Sequence, residues 1–362
     1  MAEDRNDMFT YGVRNIWLSI EQRKPVVTFF RDRYFPNRVE SNTKMIDIET
    51  RRMGNMVLPS ITRGDSALYA GAIAPHQVET YIPPYFNNHV SVGATDMDKR
   101  TFGESVAQPL SKDVRAQINI AEKLYGLEES YTLGEEAYCS QLLRTGKVTV
   151  KGMKHDGSMY TKETIEFAVD SDLVGGSLGT LWTTSSDIIS SIKTECLRVF
   201  AKSGKMPTEL TVGADVMAVM LGNTKLMALL DNRRVEGNLF KTEALMAYPG
   251  VAINGFLNIP MVGNLTLMSY VNSYIGKDDE AATDMIGAKE ILLSSPAWGT
   301  MGYGSVYTAG PNGYADEVAG RRIQHVKFGD VENNWTVKAF LQTAPLPMPT
   351  QLDAWLCKTA VA

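Results

Sequence analysis

The chain has 362 residues, 44% of them hydrophobic and 21% charged, with 41 acidic against 36 basic side chains for a formal net charge of −5. That length exceeds the usual single domain and the apolar content supports a real core, either one core with long excursions or two packed subdomains. No block of like charge exists, which argues against clamping a nucleic acid backbone. Cys139, Cys196 and Cys357 lie far apart with no C-x-x-C pair, which excludes a zinc ribbon or thioredoxin-type site.

The N-terminus carries acidic residues and no apolar stretch of signal-peptide length, and nowhere do eighteen apolar residues run together, so the chain is expected in the cytoplasm when made. The first 110 residues contain one short helical pattern, at 13–20, followed by brief apolar runs at 25–30 and 56–61. Most of this third reads as extended, with arginines interleaved among acids and with recurrent Pro and Gly. Such a segment buries little by itself and leaves strand edges to be paired by something else.

From Ser111 a helical period begins. Val114, Ile118, Ala121, Tyr125, Tyr131, Gly134, Tyr138 and Leu142 fall near one face, Ser111 caps the start and Gly146 the end. The spacing predicts one helix of up to about 35 residues, roughly 50 Å long at 1.5 Å per residue, with Gly126 and Gly134 as places for a bend. A hairpin pairing 148–151 with 164–169 follows, with Asp156-Gly157 as its turn, then a glycine loop through Gly175, Gly176 and Gly179. A second amphipathic helix is expected at 186–202 and short helices at 215–230. Strands are expected at 209–212, 251–253, 265–271, 290–293, 336–341 and 354–357, completing an α+β body.

The sharpest catalytic string is Gly175-Gly176-Ser177-Leu178-Gly179, which matches the G-x-S-x-G nucleophile elbow. That elbow needs a strand turning sharply into a helix, and 180–186 does not read as helix, so a glycine loop is the better reading. Four histidines exist, His76, His89, His155 and His325. Only His325 follows Ser177 in hydrolase order, with Asp316 or Glu317 as the acid, and none has metal-ligand spacing to another. Lys202-Ser203-Gly204-Lys205 lacks the spacing of a phosphate loop, and Asp278, Asp279, Glu280 and Asp284 fail the EF-hand pattern. No catalytic, cofactor-binding or metal site is expected.

Four blocks taken in order resemble the lambda-type major capsid proteins of tailed bacteriophages, the E family. The first is Phe29-Phe30-Arg31-Asp32-Arg33-Tyr34-Phe35-Pro36 with Met45-Ile46-Asp47-Ile48-Glu49, and the second Tyr81-Ile82-Pro83-Pro84-Tyr85 with Arg100-Thr101-Phe102-Gly103-Glu104. The third is Gly134-Glu135-Glu136-Ala137 through Leu142-Leu143-Arg144-Thr145-Gly146-Lys147-Val148-Thr149-Val150. The fourth is Asn334-Trp335 with Gln342-Thr343-Ala344-Pro345-Leu346-Pro347. The segment 298–324 matches the family less well.

The resemblance implies an α+β chain with the Hong Kong 97 phage capsid fold. It would have an N-terminal arm at 1–44 and an extended loop with the start of the peripheral domain at 45–105. The peripheral domain would occupy 106–185 with a spine helix at 111–145, an axial domain 186–320, and a segment returning to the peripheral domain 321–362. It further implies a non-enzymatic head protein that assembles with itself into hexamers and pentamers of an icosahedral shell around double-stranded DNA. Such a shell is assembled in the host bacterial cytoplasm with a scaffolding protein, a portal protein and a decoration protein as partners, and without cofactor or membrane. An internal scaffold domain is not expected. Subunit contacts are expected at Phe30, Arg33, Phe35, Arg51, Arg52 and Arg63, and at Asp65, Leu68, Tyr69, Tyr81, Arg100 and Glu104. An encapsulin-like compartment shell is the alternative within that architecture, and a serine hydrolase using Ser177 the alternative outside it.

Overall fold

The computed structural model describes residues 25–50, 77–99, 101, 104, 109–153, 158–226, 243–244, 248–276, 281–309, 315–327 and 336–362. Five helices are described: α1 (Phe29–Tyr34), α2 (Ala94–Asp98), α3 (Lys112–Thr145), α4 (Ile188–Ser203) and α5 (Ala214–Leu221). They pack with a seven-stranded mixed sheet whose order is Val174–Ser177, Leu356–Thr359, Glu290–Ser294, Glu209–Val212, Gly263–Tyr270, Val251–Ile259 and Glu243–Ala244. The central strand Glu209–Val212 is buried at every position, as a strand covered on both faces must be.

The long helix forms as its sequence predicts. The Ser111 hydroxyl accepts the Val114 N–H at the N-terminus, and Gly146 closes the helix at φ 72°, a left-handed conformation that glycine adopts without strain. The helix runs unbroken past Gly126 and Gly134 for 34 residues, about 51 Å. Its buried residues are Glu135, Glu136, Ala137, Cys139, Ser140, Leu142 and Leu143, so only its last three turns enter the core, while its earlier turns lie along Phe86–Val92 and α2, where Lys123 pairs with Asp96 and the Tyr131 hydroxyl donates to the Leu341 carbonyl. In α4, Asp187 caps the start by accepting the Ser190 N–H, Gly204 ends the helix, and Ile188, Ile192, Cys196 and Val199 form the buried stripe.

Two three-stranded sheets and several two-stranded ones surround this body. Asn37–Glu40 lies parallel to Gly299–Tyr303, which pairs antiparallel with Pro345–Pro349. Ile323–Lys327, Val337–Thr343 and Phe86–Val92 make a second three-stranded sheet, and Ile46–Thr50 pairs with Gln77–Tyr81. The expected hairpin is Lys147–Met153 with Met159–Glu166; its Asp156-Gly157 turn and the helix expected at 13–20 lie outside the described residues.

Several expectations are corrected. Residues 25–36 are not an extended arm without a core: α1 forms there, and Val27, Phe29, Phe30, Tyr34 and Phe35 are all 5% exposed or less. A helix of six residues is too short to show a period, and its cluster of aromatics supplies the stability by burial. Residues 174–177 are a strand rather than a glycine loop, because Leu173 and Val174 are buried and the strand pairs in parallel with Leu356–Thr359. Pro345–Pro349 is a strand despite three prolines. They alternate, so their missing N–H groups all fall on the side away from Gly299–Tyr303, and Leu346 and Met348 are left to pair.

The core is tied at its centre by rings from distant parts of the chain. Trp298 stacks on Trp355 at 4.3 Å between centroids and 12° between planes, Phe35 meets Trp298 edge-on at 5.1 Å, and Trp355 Nε1 donates to the Leu143 carbonyl at 2.9 Å. A Cβ on Gly299 would lie 2.3 Å from the Phe35 ring, so only glycine lets that strand approach.

Candidate functional site: the arm anchor and the expected interface residues

Two adjacent glutamates at the point where α3 enters the core hold α1. Glu136 is fully buried and accepts the backbone N–H of Phe30 at 2.8 Å, the N–H of Arg31 at 2.9 Å and the Tyr270 hydroxyl at 3.1 Å. These donors in the first turn of α1 have no acceptor within the helix, and its preceding residue, Thr28, makes no cap and instead donates its hydroxyl to Asp32 at 2.7 Å. Burial pushes the Glu136 carboxyl up to about 7, against the downward pull of its N–H donors and Tyr270.

Glu135 is equally buried and faces three guanidinium groups. Arg31 Nη1 lies 2.9 Å and Arg321 Nη2 3.1 Å from its Oε2, Arg322 Nη1 2.8 Å from its Oε1, and the Tyr303 hydroxyl donates at 3.0 Å. Burial alone would raise this carboxyl; Arg322 and Arg321 outweigh it and hold it below the usual carboxylate range. Arg322 also lies over the Tyr131 ring at 5.4 Å and donates to the Thr343 hydroxyl at 2.9 Å. One buried site thus joins α1, the long helix and the segment leading to the C-terminus.

The expected interface residues are scattered. Phe30 and Phe35 are each 1% exposed in the chain's own core, so they have no surface left to give a neighbour. Arg33, half exposed, donates from Nε to the buried Glu209 at 2.9 Å. Tyr81 packs on Phe167 at 5.0 Å between centroids, and Glu104 is enclosed by Arg115 at 2.6 Å and by the N–H groups of Thr101 and Leu110. Hydrogen bonding to Arg115, opposed by burial, brings the Glu104 carboxyl down to about 2. Arg51, Arg52, Arg63, Asp65, Leu68, Tyr69 and Arg100 lie outside the described residues.

Sequence reasoning missed the anchor, because two adjacent glutamates in a helix ordinarily face solvent. The available signal was their setting between Leu133 and Ala137, two turns before Leu142-Leu143, with an Arg321-Arg322 pair elsewhere to match them.

Ser177 does not sit on a nucleophile elbow. It ends an edge strand, Gly175 takes a left-handed φ of 63° two residues earlier, and the next helix starts only at Ile188. Among the described residues, no group of three or more His, Cys, Asp or Glu is arranged to hold a metal ion, and no helix is long and apolar enough to cross a membrane.

The open surface is apolar in places. A groove of about 460 Å³ along α3 is lined by Phe86, Leu127, Tyr131, Tyr138, Tyr274 and Ile275. Phe256, Met261, Val271 and Ile275 are each at least 61% exposed.

The profile of a family described as phage major capsid protein E matches residues 12–360. No curated protein matches by sequence. Among solved structures, a protein assigned to the capsid of an E. coli CFT073 prophage is similar at a TM-score of 0.63 and 15% identity, covering 99% of this chain and 98% of that one. The capsid subunit of cyanophage A-1(L) is similar at a TM-score of 0.50 and 13% identity, covering 98% and 99%.

Proposed function

The chain belongs to the phage major capsid protein E family, and from that premise we propose how its parts divide the work of building a phage head. The observation that carries the reading is the family match over residues 12–360, on a fold shared along nearly the whole chain with a prophage capsid protein. The protein is a major capsid protein of the Hong Kong 97 fold, and its function is self-assembly into the capsid shell.

In the finer reading, 1–44 is the arm, 45–105 the extended loop with the start of the peripheral domain, and 106–185 the peripheral domain with α3 as spine. Residues 186–320 form the axial domain and 321–362 return to the peripheral domain. The shell is icosahedral, built of hexamers and pentamers around double-stranded DNA, and assembles in the host bacterial cytoplasm. A scaffolding protein, a portal protein and a decoration protein are its partners. The exposed Phe256, Met261, Val271 and Ile275 support this reading, since large apolar side chains left open on a subunit are what association covers. Arg33, Tyr81 and Glu104, with Arg51, Arg52, Arg63, Asp65, Leu68, Tyr69 and Arg100, remain the proposed contact residues; Phe30 and Phe35 act instead by fixing the arm. The chain catalyses nothing.

Electron microscopy of the purified protein, made alone and with a scaffolding protein, tests this. Closed empty shells are expected. Shells loaded with an enzyme would indicate an encapsulin-like compartment, and turnover of an activated ester that vanished in Ser177→Ala would restore the hydrolase.

A further inference from the structure

We propose that Glu136 is a proton-operated latch: docking of α1 on the long helix takes a proton onto this carboxyl, so the arm docks more firmly as pH falls. The geometry is that of a latch because everything Glu136 holds lies on other elements. It bonds the first-turn N–H groups of α1 and the hydroxyl of Tyr270 on the strand Gly263–Tyr270, with no exposure to solvent. If α1 leaves, the carboxyl loses its donors and regains water.

Either protonation state fits the docked site. The ionised carboxylate accepts from two N–H groups and from Tyr270. A protonated Glu136 can donate to Tyr270 Oη, which already accepts from Asn272 Nδ2 at 3.1 Å, while the N–H groups still find carboxyl oxygens. The charged groups around it come from each packed element. On α1 these are Arg31, which favours the ionised form, and Asp32. On α3 they are Glu135, already neutralised by Arg31, Arg321 and Arg322, and the buried Cys139 thiol, which burial holds protonated. On the strand the titratable group is Tyr270, whose phenol burial pushes far above its usual range. No cation is devoted to Glu136, so burial wins and its carboxyl sits at about 7 when docked, against 4.5 in water.

The sign follows from linkage. A group with a raised value in the docked state stabilises docking fully below about 4.5 and loses that contribution as pH rises to about 7. The undocking equilibrium should rise about tenfold per pH unit across this window, on the order of a hundredfold in all, and level off above it.

The test is hydrogen exchange of the full, unassembled chain from pH 4.5 to 8.5, corrected for intrinsic exchange and read on the amides of residues 29–35. Protection is expected to fall with rising pH and flatten above about 7. In Glu136→Gln, which cannot titrate, protection should not vary with pH, at a level lowered by the one N–H that the amide NH2 leaves without an acceptor. A profile flat in the wild type, or a slope kept by Glu136→Gln, overturns the proposal. Should that variant not fold, Tyr270→Phe serves: losing a donor to the anion should carry the upper end of the window to higher pH, and an unmoved window overturns the latch. A protonated-carboxyl infrared band that appears in the wild type below about 7 is the independent signature.

Discussion

At the scale of single residues, Glu135 and Glu136 show how two identical, adjacent and equally buried side chains acquire opposite properties from their partners. Glu135 compensates three guanidinium groups, so removing it strands buried cations without a counterion. Glu135→Ala should therefore lower stability by about 3–5 kcal/mol, read as a fall in the urea midpoint at unchanged slope. Lys147→Ala, which breaks the solvent-exposed pair with Glu166, should barely move it. The pH dependence separates the pair as well. Glu135, held below the ordinary carboxylate value, contributes stability that is present above about 4.5 and lost as pH falls through its folded value; Glu136, raised to about 7, contributes stability that is lost as pH rises. The melting temperature of the wild type should accordingly peak at mildly acidic pH. Glu136→Gln should abolish the decline from that peak toward pH 7 and leave the acid limb intact. A maximum at or above pH 8 in the wild type would contradict the Glu136 assignment, and a missing acid limb the Glu135 one.

At the scale of elements, the two ends of α3 and its interior make separable demands. Gly146 stops the helix at φ 72°, and a Cβ there would meet Val174 Cγ2 at 3.1 Å, whereas a Cβ on Gly126 meets nothing within 4 Å. Gly146→Ala should cost about 1–2 kcal/mol for the left-handed conformation alone, and Gly126→Ala should add about 0.5–1 kcal/mol by removing helix-interior glycine. Opposite shifts in the melting temperatures of the two variants are the check. This helix was legible in the sequence because it is long, periodic and capped by Ser111 and Gly146, and α4 was legible for the same reasons at Asp187 and Gly204. What was not legible lacks either period or local signal. Six residues of α1 are fixed by the rings of Phe29 and Phe30 against Tyr270, with Tyr34 against Phe29, and by a carboxyl 106 positions away. Pro345–Pro349 reads as a strand-breaker until its pairing partner shows that every proline faces the unpaired side. The charge cluster joins residues 31, 135, 321 and 322, a combination no local pattern announces.

At the scale of the whole molecule, the boundary between what makes the subunit fold and what makes the shell runs through the proposed arm. Residues 27–35 are core: Phe29 and Phe30 pack on Tyr270 at 5.2 and 4.9 Å, Phe35 packs on Trp298, and the backbone of residues 30 and 31 satisfies Glu136. Deleting residues 1–24 removes none of these contacts, so that variant should keep the circular dichroism and the cooperative melt of the full chain. Deleting residues 1–36 removes four buried aromatic side chains, each contributing about 1.5–3 kcal/mol by burial, and strands Glu135 without Arg31 and Glu136 without its N–H donors. A loss on that scale matches the entire stability of an ordinary domain, so the longer deletion should abolish the cooperative melt. Shell formation divides the two cases differently. Residues 1–24 belong to the proposed arm, so their removal should suppress closed shells in electron microscopy even though the subunit stays folded, because losing a contact repeated at every subunit of a closed symmetric assembly weakens all of its interfaces at once. Normal shells from the shorter deletion would confine the arm's role to α1. A cooperative melt surviving the longer deletion would show that the rest of the chain folds without α1.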